Sequence, residues 1–217
     1  MSSRNDRETV SELTTGRLSV YLRCLTYLEA ISQKTVSSHE LADRFHLNSA
    51  QIRKDLACFG EFGTRGVGYD VSKLKAHLVH ELGIDRSRNA VIVGAGNLGL
   101  ALADYHGFNS NGFHIAALLD TDPEKVGRTS RSGIPIISAQ KLASVVRDNL
   151  VEIGIIAVTP DNAQEVHDSL VQAGVRAILN FAPVQLRLNT GVKVRSVDLR
   201  INLESLSFYL KSVEEGV

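Results

Sequence analysis

The sequence has few of the residues that mark disulfide-rich or metal-binding proteins. Its 217 residues include two cysteines, four prolines and no tryptophan. Cys24 and Cys58 stand among apolar neighbours in helical patterns, far from any Cys-x-x-Cys or His/Cys spacing that binds a metal. We therefore expect no metal site and two reduced, packed thiols, with a redox disulfide as the alternative.

Long apolar runs and an excess of charge of either sign are also absent. No segment approaches about 18 uninterrupted apolar residues, and residues 1–12 lack the apolar core of a signal peptide, so we expect a cytoplasmic protein with no membrane partner. The 24 basic residues equal the 24 acidic ones, so the net charge does not argue for a nucleic-acid partner. A hydrophobic content of 43% allows one large core or two modest ones, and we expect two small domains.

The first part of the chain has the periodicity of helices. Apolar residues recur at three-and-four spacing over residues 16–32, which predicts an amphipathic helix after a tail at residues 1–15. Ser37 and Glu40 form a capping box that opens a second helix. The pair Asn48 and Gln51 marks the start of a third helix directly afterwards. Two short helices with so tight a turn predict a helix-turn-helix.

The segment that follows predicts a wing. Four glycines alternate with aromatic and β-branched residues over residues 60–69, as in a short hairpin. A fourth helix is predicted over residues 72–82, ending at Gly83 in a left-handed cap. We therefore predict a winged-helix DNA-binding domain at residues 16–84, followed by a polar linker at residues 85–89.

The remaining chain alternates apolar runs with helical segments. Runs that are apolar on both faces belong to parallel sheets covered by helices on both sides, so residues 90–200 predict a Rossmann-like, doubly wound α/β domain. The predicted strands are residues 90–94, 113–120, 134–137, 153–158, 176–180 and 194–198, and the predicted helices between them lie near 98–107, 138–149 and 161–173. The last strand is expected to arrive by an irregular path. A C-terminal helix at residues 201–217 carries an apolar stripe from Leu203 to Val213 that needs a partner.

A glycine-rich stretch between the first of these strands and its helix matches the dinucleotide fingerprint. The stretch is Gly94, Ala95, Gly96, Asn97, Leu98 and Gly99. Its first glycine permits a tight turn, its second lets a pyrophosphate approach the helix N-terminus, and its third lets helix and strand pack closely. Asp120 ends the next strand, where a carboxylate accepts both ribose hydroxyls and favours NAD over NADP. The alternative is a glycine turn in a fold that binds another molecule.

Two further segments are expected to line the nicotinamide side, because ligands of such sheets lie beyond the carboxyl ends of the strands. They are Thr159 with Pro160, and Asn180 with Phe181 and Ala182. Ordinary turn chemistry is the alternative for both. No Tyr-x-x-x-Lys pair or Cys/His nucleophile pattern accompanies the fingerprint, so we expect no enzyme, with an NAD-dependent dehydrogenase as the rival hypothesis.

The third helix has the residue types that read DNA. With Ile52 and Leu56 turned inward, its exposed polar residues are expected to be Ser49, Gln51, Arg53 and Lys54. Glutamine pairs with adenine, and arginine or lysine with guanine or phosphate. Arg65 at the wing tip suits a minor-groove or phosphate contact. The alternative is a solvated helix face.

Taken together, residues 17–213 resemble the Rex family of redox-sensing repressors. The most specific stretch runs from Gln51-Ile52-Arg53-Lys54-Asp55-Leu56 through Phe59-Gly60 to Gly63-Thr64-Arg65-Gly66-Val67-Gly68-Tyr69. Residues 122–127 and 179–183 resemble the family in the second domain.

The resemblance implies a homodimer built on the Rossmann domains, with the C-terminal helix exchanged between subunits. It implies that NADH favours a closed dimer released from a palindromic operator, whereas NAD+ favours a DNA-compatible arrangement or binds too weakly to matter. It also implies that Arg23, Tyr105 and Asp198 form the switch, in which Asp198 changes its partner between Tyr105 and Arg23 across the dimer. His106 departs from the proline of some relatives. A repressor that senses another nucleotide, such as CoA, is the closest rival.

Overall fold

A computed structural model describes residues 11–64, 66–109 and 112–214. The chain divides into two compact units, Met1–Arg86 and Ser87–Val217. Among the described residues, none of the helices has the length and apolar composition needed to cross a membrane.

The first unit begins with a long helix whose start differs from the prediction. Helix α1 is Glu12–Ala30, four residues earlier than predicted, because the Ser11 side chain caps it by accepting a hydrogen bond from the backbone N–H of Thr14 at 3.1 Å. Cys24 is buried in this helix, and burial raises the pKa of its thiol. Both cysteines are free, but Cys58 is exposed, so the prediction that it packs is wrong.

The helix-turn-helix forms as predicted. Helix α2 (Ser38–Phe45) starts in a capping box, in which Glu40 accepts from the Ser37 N–H at 2.6 Å and Ser37 accepts from the Glu40 N–H at 3.1 Å. His46 then takes a left-handed conformation, and α3 (Ser49–Ala57) starts at once. The left-handed His46 therefore closes one end of the tight turn, and the Asn48 side chain caps the other by accepting from the Gln51 N–H at 2.9 Å.

The wing is a small antiparallel sheet. Strands β1 (Thr35–Val36), β2 (Gly63–Thr64) and β3 (Gly68–Asp70) pair in the order β1-β3-β2. The hairpin of β2 and β3 confirms the prediction, whereas β1 was not predicted because two residues carry no periodicity. Helix α4 (Val71–Glu81) follows.

Helix α4 and the core complete the first unit. The Asp70 side chain caps α4 by accepting from the Lys73 N–H at 2.9 Å, and Gly83 has a φ of 65° in the predicted left-handed cap. The core is built from the apolar faces of α1, α2, α3 and α4. Its fully buried side chains include Leu18, Leu25, Leu28, Ile52, Leu56 and Leu78.

The second unit is a parallel, six-stranded sheet. Its strands are β4 (Arg88–Val93), β5 (Phe113–Asp120), β6 (Ile136–Ser138), β7 (Ile153–Ile156), β8 (Ala177–Asn180) and β9 (Lys193–Ser196). Strand β5 has the predicted bounds, and β4 begins within the segment predicted as a linker. The strand order β6-β5-β4-β7-β8-β9 places the first strand at the centre, as in the Rossmann fold.

Helices join these strands except from β5 to β6 and from β8 to β9, where the described residues form none. The helices are α5 (Asn97–Ala103), α6 (His106–Asn109), α7 (Leu142–Asp148) after a 3-10 turn, α8 (Pro160–Gln172) and the terminal α9 (Leu199–Glu214). The helix predicted over 98–107 is divided after Ala103, where Asp104 turns to accept a hydrogen bond from the Ser132 N–H at 2.8 Å. The described chain from β8 to β9 has no helix, which confirms the predicted irregular path.

The order of the strands determines where a ligand can bind. After β4 the chain builds β5 and β6 on one side of the sheet and then returns to build β7, β8 and β9 on the other. The connections at the carboxyl end of β4 therefore diverge, and this point of reversal is where open α/β sheets hold their ligands.

Candidate nucleotide cleft and nucleic-acid interface

The glycine-rich turn after β4 requires glycine at two positions. Gly94 has a φ of 106°, and its N–H donates to the Leu119 carbonyl at 2.7 Å. A Cβ at Gly94 would clash with the Ala157 carbonyl. A Cβ at Gly99 would overlap the Gly94 carbonyl oxygen, so α5 lies against β4 only because both residues lack side chains.

Gly96 is different, because a Cβ there would meet no atom within 4 Å. It is the N-terminal cap residue of α5, and no side chain caps that end. Asn97 and Leu98 are exposed beside it, whereas Ala95 is buried. The fingerprint therefore combines packed residues with an open backbone surface, which suits a group that approaches the chain closely.

Asp120 lies directly against this turn. Its carboxylate accepts from the Ala95 N–H at 2.7 Å and the Asp122 N–H at 2.9 Å, and the Lys125 ammonium lies at 3.3 Å. Burial raises the pKa of Asp120, but the bonds from Asp122, Ala95 and Lys125 outweigh it and the pKa is lowered. A fixed negative charge therefore stands beside Gly96. The sequence reasoning assigned no role to Lys125.

A cleft of about 720 Å³ opens at the carboxyl ends of β4, β5 and β7. A volume of this size is typical of small-molecule and cofactor sites. Its lining includes Gly94, Asp120, Thr121, Leu142, Val158, Asn162 and Glu165. Gly94 of the fingerprint turn and the ribose-binding candidate Asp120 thus border one cavity, whose lining does not include Gly96.

The two segments predicted for the nicotinamide side have different environments. Thr159 is the cap residue of α8 with Pro160 in its first turn, and its hydroxyl accepts from Asn162 at 3.1 Å. Asn180 is fully buried, and its amide bonds to both backbone groups of Ala182 at 3.0 Å. Its side chain therefore holds its own loop instead of lining the cleft.

Ala182 is buried as well, and Phe181 packs against the core. Any contact of this segment with a ligand depends on its backbone or on Phe181, and stays a prediction.

The three residues given switch roles occupy exposed or half-buried positions. Tyr105 is 59% exposed, stacks edge-to-face on Phe108, and borders a second cleft of about 510 Å³. Asp198 accepts from the Arg200 N–H at 2.9 Å at the start of α9. Arg23 is exposed on α1 in the first unit. Tyr105 and Asp198, both in the second unit, share no hydrogen bond within the described residues, and the exchange of Asp198 between Tyr105 and Arg23 stays a prediction.

The DNA-reading candidates lie on α3. Arg53 and Lys54 are exposed as predicted, whereas Ser49 and Gln51, which were also predicted to be exposed, are half-buried. Arg53 donates to the Ser38 hydroxyl on α2 at 3.0 Å. Arg65, predicted at the wing tip, lies outside the described residues.

A buried carboxylate behind α3 escaped the sequence reasoning. Asp55 is 2% exposed and accepts hydrogen bonds from Arg17, Tyr21 and Gln51. Burial raises the pKa of Asp55, but these bonds outweigh it and the pKa is lowered. The signal was its position between the inward-facing Ile52 and Leu56, where an acid requires a partner.

Two family models match the chain. The model described as putative DNA-binding protein N-terminus matches residues 9–57. The model described as CoA binding domain matches residues 85–184.

Curated relatives and solved structures match almost the whole chain. The redox-sensing transcriptional repressor Rex of Carboxydothermus hydrogenoformans is 50% identical over 93% of this chain and 97% of that relative. The structure of RSP with β-NAD+ and operator DNA is 36% identical with a TM-score of 0.89, covering 94% of both chains. RSP with β-NADH is 35% identical with a TM-score of 0.84, covering 95% of this chain and 96% of that one.

Proposed function

The chain belongs to the Rex family of redox-sensing transcriptional repressors, and we propose that it represses transcription from a palindromic operator and is released by NADH. The observation that carries the proposal is the pairing, in one chain, of a winged helix with a fingerprint turn beside an anionic Asp120. Relatives with that name match this chain over more than nine-tenths of its length. A repressor acts where the chromosome is, so the proposal places the chain in the cytoplasm.

The first unit supplies the DNA contacts. Helix-turn-helix proteins place the second helix of the motif in the major groove, and here that helix is α3. Arg53 and Lys54 are exposed cations on it that serve base edges or phosphates. Ser49 at its start and Arg65, which stands in the sequence between β2 and β3, are further candidates. Neutralised phosphates make such binding depend steeply on salt.

The second unit supplies the sensor. The open backbone at Gly96 suits a pyrophosphate, and Asp120 suits the adenosine ribose hydroxyls while repelling a phosphate attached to them. The nicotinamide ring carries a positive charge when oxidised and none when reduced, which is the difference that a redox sensor reads. We propose that Tyr105, Asp198 and Arg23 respond to it.

The last helix argues for a second copy of the chain. Seven large apolar side chains of α9 are 59–68% exposed, and they are Leu199, Ile201, Leu203, Leu206, Phe208, Tyr209 and Leu210. The side chain of Val213, the last residue of the predicted stripe, lies outside the described residues. A surface of this kind is typical of a protein interface, and a palindromic operator requires a two-fold symmetric protein. We propose a homodimer in which α9 of each subunit packs on the other.

A CoA-sensing repressor is the second candidate, because the matching model of residues 85–184 is described as a CoA binding domain. CoA carries a phosphate on its adenosine ribose, next to which the ionised Asp120 would be repulsive. Titration of the protein with NADH, NADPH and CoA separates the candidates. We expect NADH to bind tightest, and tighter binding of CoA would favour the second candidate.

The DNA half of the proposal is tested by binding to a palindromic operator in a gel shift. Arg53→Ala and Lys54→Ala should each abolish operator binding and leave NADH affinity unchanged, because both side chains lie in the first unit. Unchanged DNA affinity in both variants would contradict the assignment of α3. Steady consumption of NADH with a small carbonyl substrate would instead support a dehydrogenase.

A further inference from the structure

The helix proposed to read DNA is anchored by a buried charge. Asp55 on α3 lies 34 to 38 residues from its partners on α1, so the contact is tertiary. Tyr21 is also buried, and Arg17 is about one-third exposed. The carboxylate therefore ties α3 to the long first helix from the inner side.

The hydrogen bonds to this carboxylate use all of its acceptor positions. One oxygen accepts from Arg17 Nε at 2.6 Å and from the Tyr21 hydroxyl at 2.8 Å. The other accepts from Arg17 Nη2 and from Gln51 Nε2, both at 2.8 Å. A carboxylate has about four acceptor sites, so Asp55 is saturated, and only an ionised group can accept all four bonds.

This saturation fixes the orientation of the Gln51 amide. An ionised carboxylate accepts and does not donate, so it must face the NH2 group of Gln51 and not its oxygen. The NH2 group keeps a second hydrogen, and Oε1 has no hydrogen-bond partner within the described residues. Gln51 therefore retains one acceptor and one donor side by side, with no freedom to exchange them.

We propose that Asp55, held by Arg17 and Tyr21, is a positioning residue that orients the Gln51 amide to read adenine in the major groove. Adenine offers a donor at N6 beside an acceptor at N7, which matches the acceptor and donor that Gln51 retains. This inference rests on the proposed function, because it requires α3 to lie in the groove. Arg17, Tyr21 and Asp55 contribute to base discrimination without touching DNA.

A double-mutant cycle separates positioning from simple support of the fold. Affinities of wild type, Asp55→Asn, Gln51→Ala and the double variant are measured for the operator and for operators with each base pair changed in turn. We expect wild type to prefer A·T at one position per half-site by about 10-fold or more, and Gln51→Ala to abolish that preference. An asparagine at position 55 can present its own NH2, which lets the Gln51 amide turn over.

Asp55→Asn should therefore reduce the same preference, at the same position, by about 10-fold. In the Gln51→Ala background it should change no base preference. A loss spread equally over all positions, or an equal loss in both backgrounds, would show a structural tether and overturn the proposal. Failure of wild type to bind any palindromic site would refute the proposed function instead.

Two control variants keep the test interpretable. Tyr21→Phe removes one of the four bonds and keeps the ring, so it should weaken the same preference by a few-fold, about 2- to 10-fold, even if Asp55→Asn folds poorly. Asp43→Asn removes an exposed acid of α2 in the same unit and should change no preference. NADH affinity and the thermal midpoint are measured for each variant. An unchanged preference in folded Tyr21→Phe and Asp55→Asn would overturn the proposal.

Discussion

Replacing Asp120 by asparagine should lower both the affinity for NADH and the preference for NADH over NADPH. The substitution keeps the shape of the side chain but replaces one acceptor oxygen with an NH2 group. In the structure each oxygen accepts a backbone N–H, one from Ala95 and one from Asp122. One of these two donors must therefore lose its acceptor.

The size of the effect follows from these bonds. Hydrogen bonds from ribose hydroxyls to a charged acceptor contribute about 1.5–3 kcal/mol, which corresponds to about 10- to 150-fold in the Kd for NADH. The unpaired N–H should also lower the unfolding free energy of the protein by roughly 1–3 kcal/mol, because Asp120 is only 11% exposed. NADPH should lose less affinity than NADH, since the charge that repels its 2′-phosphate is gone.

The assay is a fluorescence titration of both nucleotides, combined with urea unfolding. The matched control is Asp161→Asn, which removes an exposed acid from the first turn of α8 and should change neither affinity. Should Asp120→Asn bind NADH as tightly as wild type, the assignment of this carboxylate to the ribose would be refuted. Equal losses for NADH and NADPH would refute its role in selectivity.

Three further predictions concern the turn, the buried carboxylate and the last helix. Gly99→Ala should lower the unfolding free energy by about 1–3 kcal/mol, because its methyl overlaps the Gly94 carbonyl. Gly96→Ala, whose methyl faces open space, should lower the unfolding free energy by less than about 1 kcal/mol but should weaken NADH binding. Urea unfolding and a nucleotide titration measure both effects, and equal behaviour of the two variants would contradict the prediction. Because the pKa of Asp55 is lowered by folding, its contribution to stability is present above its unfolded value of about 3.9 and is lost as the pH falls through the lower folded value. Thermal midpoints of the first unit should therefore drop as the pH falls below about 5, more in wild type than in Asp55→Asn, and identical pH profiles would contradict the ionised network. Leu210→Glu should raise the dissociation constant of the dimer at least about 30-fold, since a charge would be buried in an apolar interface. Sedimentation measures the mass of this variant and of the control Glu204→Gln on the same helix, and an unchanged mass of Leu210→Glu would exclude α9 from the interface.

Features that depend on neighbouring residues were the ones that the sequence could predict. The capping side chains of Ser37, Glu40 and Asn48 bond within three residues of themselves, so the start of α2 and of α3 could be inferred from spacing alone. Strand β5 is eight residues of nearly continuous apolar sequence and was placed correctly at both ends. The glycines at 94 and 99 were recognised because their requirement is set by a short turn.

Features that depend on distant parts of the chain were missed or misplaced. Two of the three partners of Asp55 lie on α1, so its position between Ile52 and Leu56 indicated that it needs a partner but not which residues supply one. Asn180 was predicted to line the nicotinamide side because it ends a strand; its hydrogen bonds to the Ala182 backbone were not predicted, and contact of its segment with a ligand stays a prediction. Strand β1 exists only because β3 pairs with it, and two residues give no pattern of their own.

The most direct test of the account is the coupling between the two binding sites, measured in both directions. NADH affinity is determined for the free protein and for the protein saturated with operator DNA, and operator affinity is determined with and without saturating NADH. Thermodynamic linkage requires the change in NADH affinity caused by DNA to equal the change in operator affinity caused by NADH. Allosteric coupling of about 1–3 kcal/mol predicts that each ligand weakens binding of the other by about 5- to 150-fold. Operator occupancy that is unchanged by saturating NADH would contradict the account.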